Sequence, residues 1–297
     1  MPEREARAAG CLAGALGILL VLALAAGAVV AVLTWVVPAR VSDDCTVTLA
    51  DGTSATLDAD QADNAALIAA VAVRRALPAR AVTIALATAV QESRLRNIDY
   101  GDRDSLGLFQ QRPSQGWGTE EQILDPVYAT GAFYDALVTV PGYADLPVTE
   151  AAQLVQRSAF PDAYADHEPE GRAFASALTG HSPAALTCRL ALPDGDAADG
   201  GTDVSGVVLA RLERDFGALD ASAAGGVVTA DAASLAGGDA GERLAWSLAH
   251  WAVATASVTG VTTVEVDGQV WRRSDGEDAR WASDAGATAG PGLVRIS

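Results

Sequence analysis

Ala89-Val90-Gln91-Glu92-Ser93 and, after a six-residue gap, Tyr100-Gly101-Asp102-Arg103-Asp104-Ser105-Leu106-Gly107-Leu108-Phe109-Gln110 decide how the first half of the chain is read. The first run closes an apolar-periodic segment that begins near Arg80 and continues through Ile84, Leu86 and Val90 to Arg94. It is read as a helix that delivers Glu92 at its C-terminal end. The macrodipole is negative there, which disfavours a carboxylate and suits a carboxyl group that donates a proton. In the second run Gly107 can let the backbone approach a ligand closely, and the Gln110 amide can both donate and accept hydrogen bonds.

Outward from this stretch, Asp60 opens an earlier periodic segment through Leu67, Val71 and Val73 that ends at the Leu77-Pro78 step. Residues 97–119 are irregular and rich in glycine. Asp125-Pro126 supplies an N-cap with proline at the first helical position, opening a helix through Phe133 and Leu137. Thr149 begins another helix, and residues 164–178 form a last one, interrupted near Pro169. The expectation for residues 45–190 is therefore a mostly α domain with one long loop. Pro193-Asp194-Gly195-Asp196-Ala197-Ala198-Asp199-Gly200-Gly201 reads as a linker within residues 191–203. Residues 204–297 read as a small α+β domain. Its elements are a helix at 204–216, a helix through Leu244, Leu248 and Trp251 started by a capping-box-like Asp239 and Glu242, and a hairpin. The hairpin pairs 262–266 with 269–273 around Asp267-Gly268 and places Val264 opposite Trp271, while 293–296 adds an edge strand.

Glu92-Ser93 at a helix end, a loop, and then Gly107-Leu108-Phe109-Gln110 resemble the Glu-Ser and Gly-Leu-x-Gln motifs of the lysozyme-like superfamily, in the branch of the soluble lytic transglycosylases. Asp125-Pro126 is similar to that family's next segment. Gln156-Arg157-Ser158-Ala159-Phe160-Pro161 stands where the family has Ala-Tyr-Asn-Ala-Gly, without the Tyr-Asn pair. The resemblance covers roughly residues 58–178. It implies a lysozyme-like domain in which Glu92 is the catalytic acid/base, Ser93 and Gln110 support the acid or contact sugar, and Gln156 lies nearby. The implied activity is cleavage of the β-1,4 bond between N-acetylmuramic acid and N-acetylglucosamine in peptidoglycan. A lytic transglycosylase closes an anhydro ring, whereas a muramidase uses water. The rival expectation is a non-catalytic peptidoglycan-binding or cell-envelope assembly protein whose C-terminal domain recruits an envelope partner. The anchored, lysine-free, acidic chain resembles actinobacterial cell-envelope proteins.

Other residues add to this reading. Tyr100 and Trp117 could each offer an aromatic face to a sugar ring, with loop packing an equal alternative. Asp99, Asp102 and Asp104 could include the second carboxylate of an inverting hydrolase, although such loops are more often turns. No cofactor or metal is expected: His167, His181 and His250 form no HExxH, and the acidic loop is too short for a calcium site. Trp246, Trp251, Trp271 and His250 sit among apolar neighbours and are assigned to the core.

Residues 11–37 carry no charge. As a helix at about 1.5 Å per residue they would extend roughly 40 Å, against about 30 Å of hydrocarbon. They are expected to form a transmembrane anchor, with a long signal peptide as the alternative. Arg4 and Arg7 precede this block, so residues 1–10 are expected to be cytoplasmic and the main part extracytoplasmic, in a single-pass plasma-membrane protein. Cys45 and Cys188 would then stand in an oxidising compartment and pair as a disulfide. All 20 basic residues are arginine and the net charge is −18, which argues against nucleic acid as a partner.

Overall fold

The computed structural model describes residues 43–157, 162–193, 203–235 and 241–297, together with Ala23 and residues 25–28. Met1–Val41 is one unit and Ser42–Ser297 another. The expected anchor at 11–37 lies almost wholly outside the described residues, among which no helix is long and apolar enough to cross a membrane. The second unit is mixed α and β with two antiparallel sheets.

The first sheet is not among the elements expected from sequence. Strand β1 (Asp44–Thr48) lies between β2 (Ser54–Asp58) and β3 (Leu186–Arg189). Cys45 faces Cys188 in register, and the two are bonded in the core, as expected. The bridge spans 143 residues, a separation that the chain-entropy model values at nominally about 4 to 5 kcal/mol.

Helix α1 (Ala59–Arg74) begins with a capping box: the Asp58 N–H donates to Gln61 Oε1 at 2.8 Å. Every residue from Ala65 to Val73 is buried, because alanine and valine on all sides let neighbours pack closely around the helix. Helix α2 (Ala79–Ser93) is buried through most of its length. Next come α3 (Glu120–Leu124) and α4 (Pro126–Val138), the latter capped by the Asp125 carboxylate as expected. Helix α5 (Val148–Gln156) follows, then α6 (Glu168–Leu178). Pro169 does not interrupt α6 but lies in its first turn, where a missing N–H costs nothing, after a separate 3-10 turn at Ala165–His167.

In the second half, α7 (Val204–Phe216) precedes β4 (Ala221–Ala224) and β5 (Val227–Asp231). Helices α8 (Gly241–Ala254) and α9 (Ala256–Thr259) precede β6 (Thr263–Val266), β7 (Gln269–Arg272), β8 (Ala282–Ser283) and β9 (Leu293–Ile296). The hairpin has the expected register, Val264 opposite Trp271. The expected edge strand is an interior one: the order is β4-β5-β9-β6-β7-β8, and Val294 and Ile296 are buried between two partners. The Asp239 cap lies outside the described residues.

The two halves share one core, which corrects the expectation of separately folding domains on either side of 191–203. Helix α8 is buried from Leu244 to Ala254. Its side chains satisfy the end of α6: Arg243 Nη1 donates to the Thr179 carbonyl at 2.6 Å, Ser247 Oγ to Leu178 at 2.6 Å and His250 Nδ1 to Ala177 at 2.8 Å. A Cβ on Gly180 (φ +78°) would stand 1.8 Å from the Arg243 carbonyl oxygen, so only glycine permits this contact. Trp281 donates to the Leu186 carbonyl of β3 at 2.7 Å, and buried Arg273 reaches the Ala191 and Ala256 carbonyls. Ionic and aromatic side chains thus join the halves through backbone groups that would otherwise be buried unpaired.

His250 packs between Trp246 and Trp281. Burial lowers its pKa from 6.5 to about 4, against the opposing effect of its bond to Ala177. The folded state therefore holds the imidazole neutral. Its contribution is fully present above about pH 6.5 and is lost as pH falls toward about 4, a difference of about 3 kcal/mol. Denaturant titrations should show wild type losing about that much more stability than His250→Phe between pH 7 and pH 4. Equal losses in the two proteins would remove His250 as the source.

Candidate functional site

Helix α2 ends where Arg94 turns into the left-handed conformation (φ +55°). This end presents Glu92, half-buried, and Ser93, buried. The Tyr164 hydroxyl donates to Glu92 Oε1 at 2.7 Å from a ring that is 0% exposed. Oε2 of Glu92 has no hydrogen-bond partner among the described residues. A phenol fixed on one carboxyl oxygen orients the group and leaves the other oxygen to carry a transferable proton.

The loop beyond α2 is held by side chains expected to touch sugar. Leu106 and Gln111 exchange backbone hydrogen bonds of 2.9 and 3.0 Å and close a turn over residues 107–110. Three successive carbonyls of that turn are each taken by one side chain. Gln110 Nε2 lies 3.4 Å from the Gly107 oxygen and 3.2 Å from that of Tyr100. Ser93 Oγ donates to Leu108 at 2.7 Å, with the Ala89 carbonyl a second acceptor at 3.1 Å, and Gln156 Nε2 donates to Phe109 at 2.8 Å. Leu108 and Phe109 are buried, and Phe109 stacks on Phe133 with ring centroids 4.5 Å apart, so unpaired carbonyls there would be costly. Ser93, Gln110 and Gln156 therefore hold the loop in place against the end of α2.

Gly107 also differs from expectation. Its φ is +76°, and a Cβ would lie 2.7 Å from the Ile123 carbonyl oxygen. The close approach that the glycine permits is to buried backbone, not to a ligand. Tyr100 is 68% exposed and free to meet one. Trp117 packs partly on the core and lines a cleft of about 490 Å³ with Val140, Leu154, Gln156 and Arg157. A second cleft, of about 430 Å³, is lined by Gln61, Gln91, Arg94, His167 and Glu170.

The acidic loop is a brace. Asp104 accepts from Arg112 Nε at 2.7 Å and from the Ser114 N–H at 2.8 Å, which hold its carboxyl well below the usual carboxylate range. Asp99 and Asp102 are exposed. Among the described residues no group of three or more His, Cys, Asp or Glu could hold a metal ion.

Tyr164 is the residue that sequence reasoning missed. The segment expected in the place of a Tyr-Asn pair is 156–161, of which 158–161 lie outside the described residues. Asp162-Ala163-Tyr164-Ala165 carries no motif, and only the lone aromatic just before α6 could have flagged it. No protein-family model matches the chain, and no curated protein matches it.

Proposed function

We propose that this chain is a membrane-anchored peptidoglycan glycosidase with a lysozyme-like domain over roughly residues 58–178, acting as a lytic transglycosylase. The observation that carries this reading is the Glu92 carboxyl, oriented by Tyr164 on one side and backed by a Ser93-pinned loop on the other. Glu92 gives its proton to the glycosidic oxygen as the bond between N-acetylmuramic acid and N-acetylglucosamine breaks. The resulting carboxylate then accepts the proton of the muramyl 6-hydroxyl as that oxygen closes on the anomeric carbon. The proton count balances and no water is consumed.

An inverting enzyme needs a second carboxylate free to activate water; Asp104 is committed to Arg112 and Ser114, so of the three loop carboxylates only Asp99 and Asp102 are left for that role. The buried Cys45–Cys188 bond supports an extracytoplasmic location for the main part of the chain, with residues 11–37 as the anchor. The test is to incubate the full chain in detergent with purified peptidoglycan and determine product masses. Anhydro-muramyl ends, lighter than reducing ends by one water, are expected. Reducing ends would make it a muramidase, and binding without any cleavage would make it a wall-binding protein.

A further inference from the structure

The six-stranded sheet ends differently on its two sides. One edge, β8, has only two residues, too few to pair with another chain. The other edge, β4, is Ala221-Ser222-Ala223-Ala224 and carries no charge, proline or bulge to guard it. The Asp231 N–H donates to the Asp220 carbonyl at 2.8 Å, so the antiparallel alternation turns the backbone groups of residues 222 and 224 toward β5 and those of Ala221 and Ala223 outward. Among the described residues no strand pairs with that outer side, and Ser222, Ala223 and Ala224 are exposed.

The sheet face beside this edge is also open. Ala221 and Ala223 pair with Ala230 and Val228, which are buried in the core, so all four side chains lie on the face against which α7 packs. Ala223 is nonetheless exposed: the helix layer ends before the edge does. A groove of about 400 Å³ lies there, lined by Leu209, Leu212 and Glu213 of α7 and by Leu219 and Ala221. Glu213 and Asp220 are exposed, and their carboxylates have no ion pair among the described residues, whereas Asp63 and Asp215 are held by Arg211 and Arg214.

We infer that β4 takes up an extended, basic segment of a partner protein as a further strand, with its apolar side chains over the groove and a cationic side chain beside Glu213 and Asp220. Main-chain hydrogen bonds to Ala221 and Ala223 supply affinity, and alternate side chains supply specificity. Charge selects the partner, because a chain of net charge −18 repels a second copy of itself and attracts a basic segment. This surface belongs to the second half of the chain and does not depend on the activity proposed for Glu92.

The probe is a fluorescent pool of capped peptides of about eight residues, in which valine, leucine or isoleucine alternates with threonine between two terminal lysines. A twin pool has glutamate at both ends. Fluorescence anisotropy is read with the full chain in nanodiscs of neutral phosphatidylcholine, against empty nanodiscs. The lysine pool should bind about tenfold tighter than the glutamate pool at low salt, with the difference shrinking as salt is added. Ala223→Pro removes one outward N–H that the fold does not use, and proline is tolerated at such an edge position; it should weaken binding of the lysine pool at least about tenfold. Ala223→Val keeps the N–H and should bind like wild type. Glu213→Arg should bring the two pools within about threefold of each other. Absence of saturable binding up to about 1 mM, equal binding of the two pools, or binding unchanged by Ala223→Pro would each overturn the inference. A dimer that forms as the protein is concentrated, and that Ala223→Pro dissociates, would overturn it too by giving the edge to a second copy.

Discussion

Glu92→Gln should lower glycan cleavage by about 10² to 10⁴-fold, the range that a positioned general acid contributes, and leave folding and strand binding largely intact. The amide has nearly the shape of the carboxyl and can still accept from the Tyr164 hydroxyl, so the local geometry survives. It lacks a proton acidic enough to reach the leaving oxygen. Tyr164→Phe separates orientation from chemistry. It keeps the buried ring and removes only the donor 2.7 Å from Glu92, so activity should fall by roughly tenfold, the value of one charge-assisted hydrogen bond. Turnover of peptidoglycan to soluble fragments reads both variants. Wild-type turnover in Glu92→Gln would remove it as the acid, and unchanged turnover in Tyr164→Phe would make the tyrosine a packing residue only.

The position of Glu92 was legible in the sequence because helix ends announce themselves: the apolar period of α2 stops at Ser93, and a glycine-led turn follows. The roles around it were not. A serine, two glutamines and a glycine beside a carboxyl read as ligand contacts, but the buried turn 107–110 has carbonyls of its own to satisfy and consumes those donors first. Local chemistry also revealed Asp125-Pro126 as a helix start and Asp267-Gly268 as a hairpin turn. Pairings of distant segments stayed hidden. Strands β1 and β3 have five and four residues and meet only because the chain between them returns, and β9 reads as an edge because β5, its second partner, is a short run after Gly225-Gly226. The linker composition of 193–201 suggested a boundary, whereas the residues that join the halves bond to backbone carbonyls, which no side-chain pattern encodes.

Asp215→Ala should destabilise residues 42–297 as a whole by about 3 to 5 kcal/mol, the cost of removing one member of a buried ionic group. Asp215 is 0% exposed although it lies near the end of α7, next to Arg214. Its oxygens accept from Arg214 Nε at 2.6 Å and from the Trp251 indole at 2.9 Å, with Arg211 Nε at 3.6 Å. Arg211 in turn reaches Asp63 on α1 at 2.6 Å, so the group runs from the first half of the chain through α7 to α8. Truncation leaves the Trp251 N–H buried without an acceptor and takes one of two carboxylates from the largely buried Arg211. Asp215→Asn keeps an acceptor for the indole and should cost roughly half as much, which isolates the ionic part. Because the group bridges the halves, tryptophan fluorescence and far-ultraviolet circular dichroism should report one transition, displaced by the same amount in denaturant. A cost below about 0.5 kcal/mol would place Asp215 among ordinary surface positions. Two transitions, only the one reported by Trp246, Trp251 and Trp281 being displaced, would restore the two-domain division at 191–203.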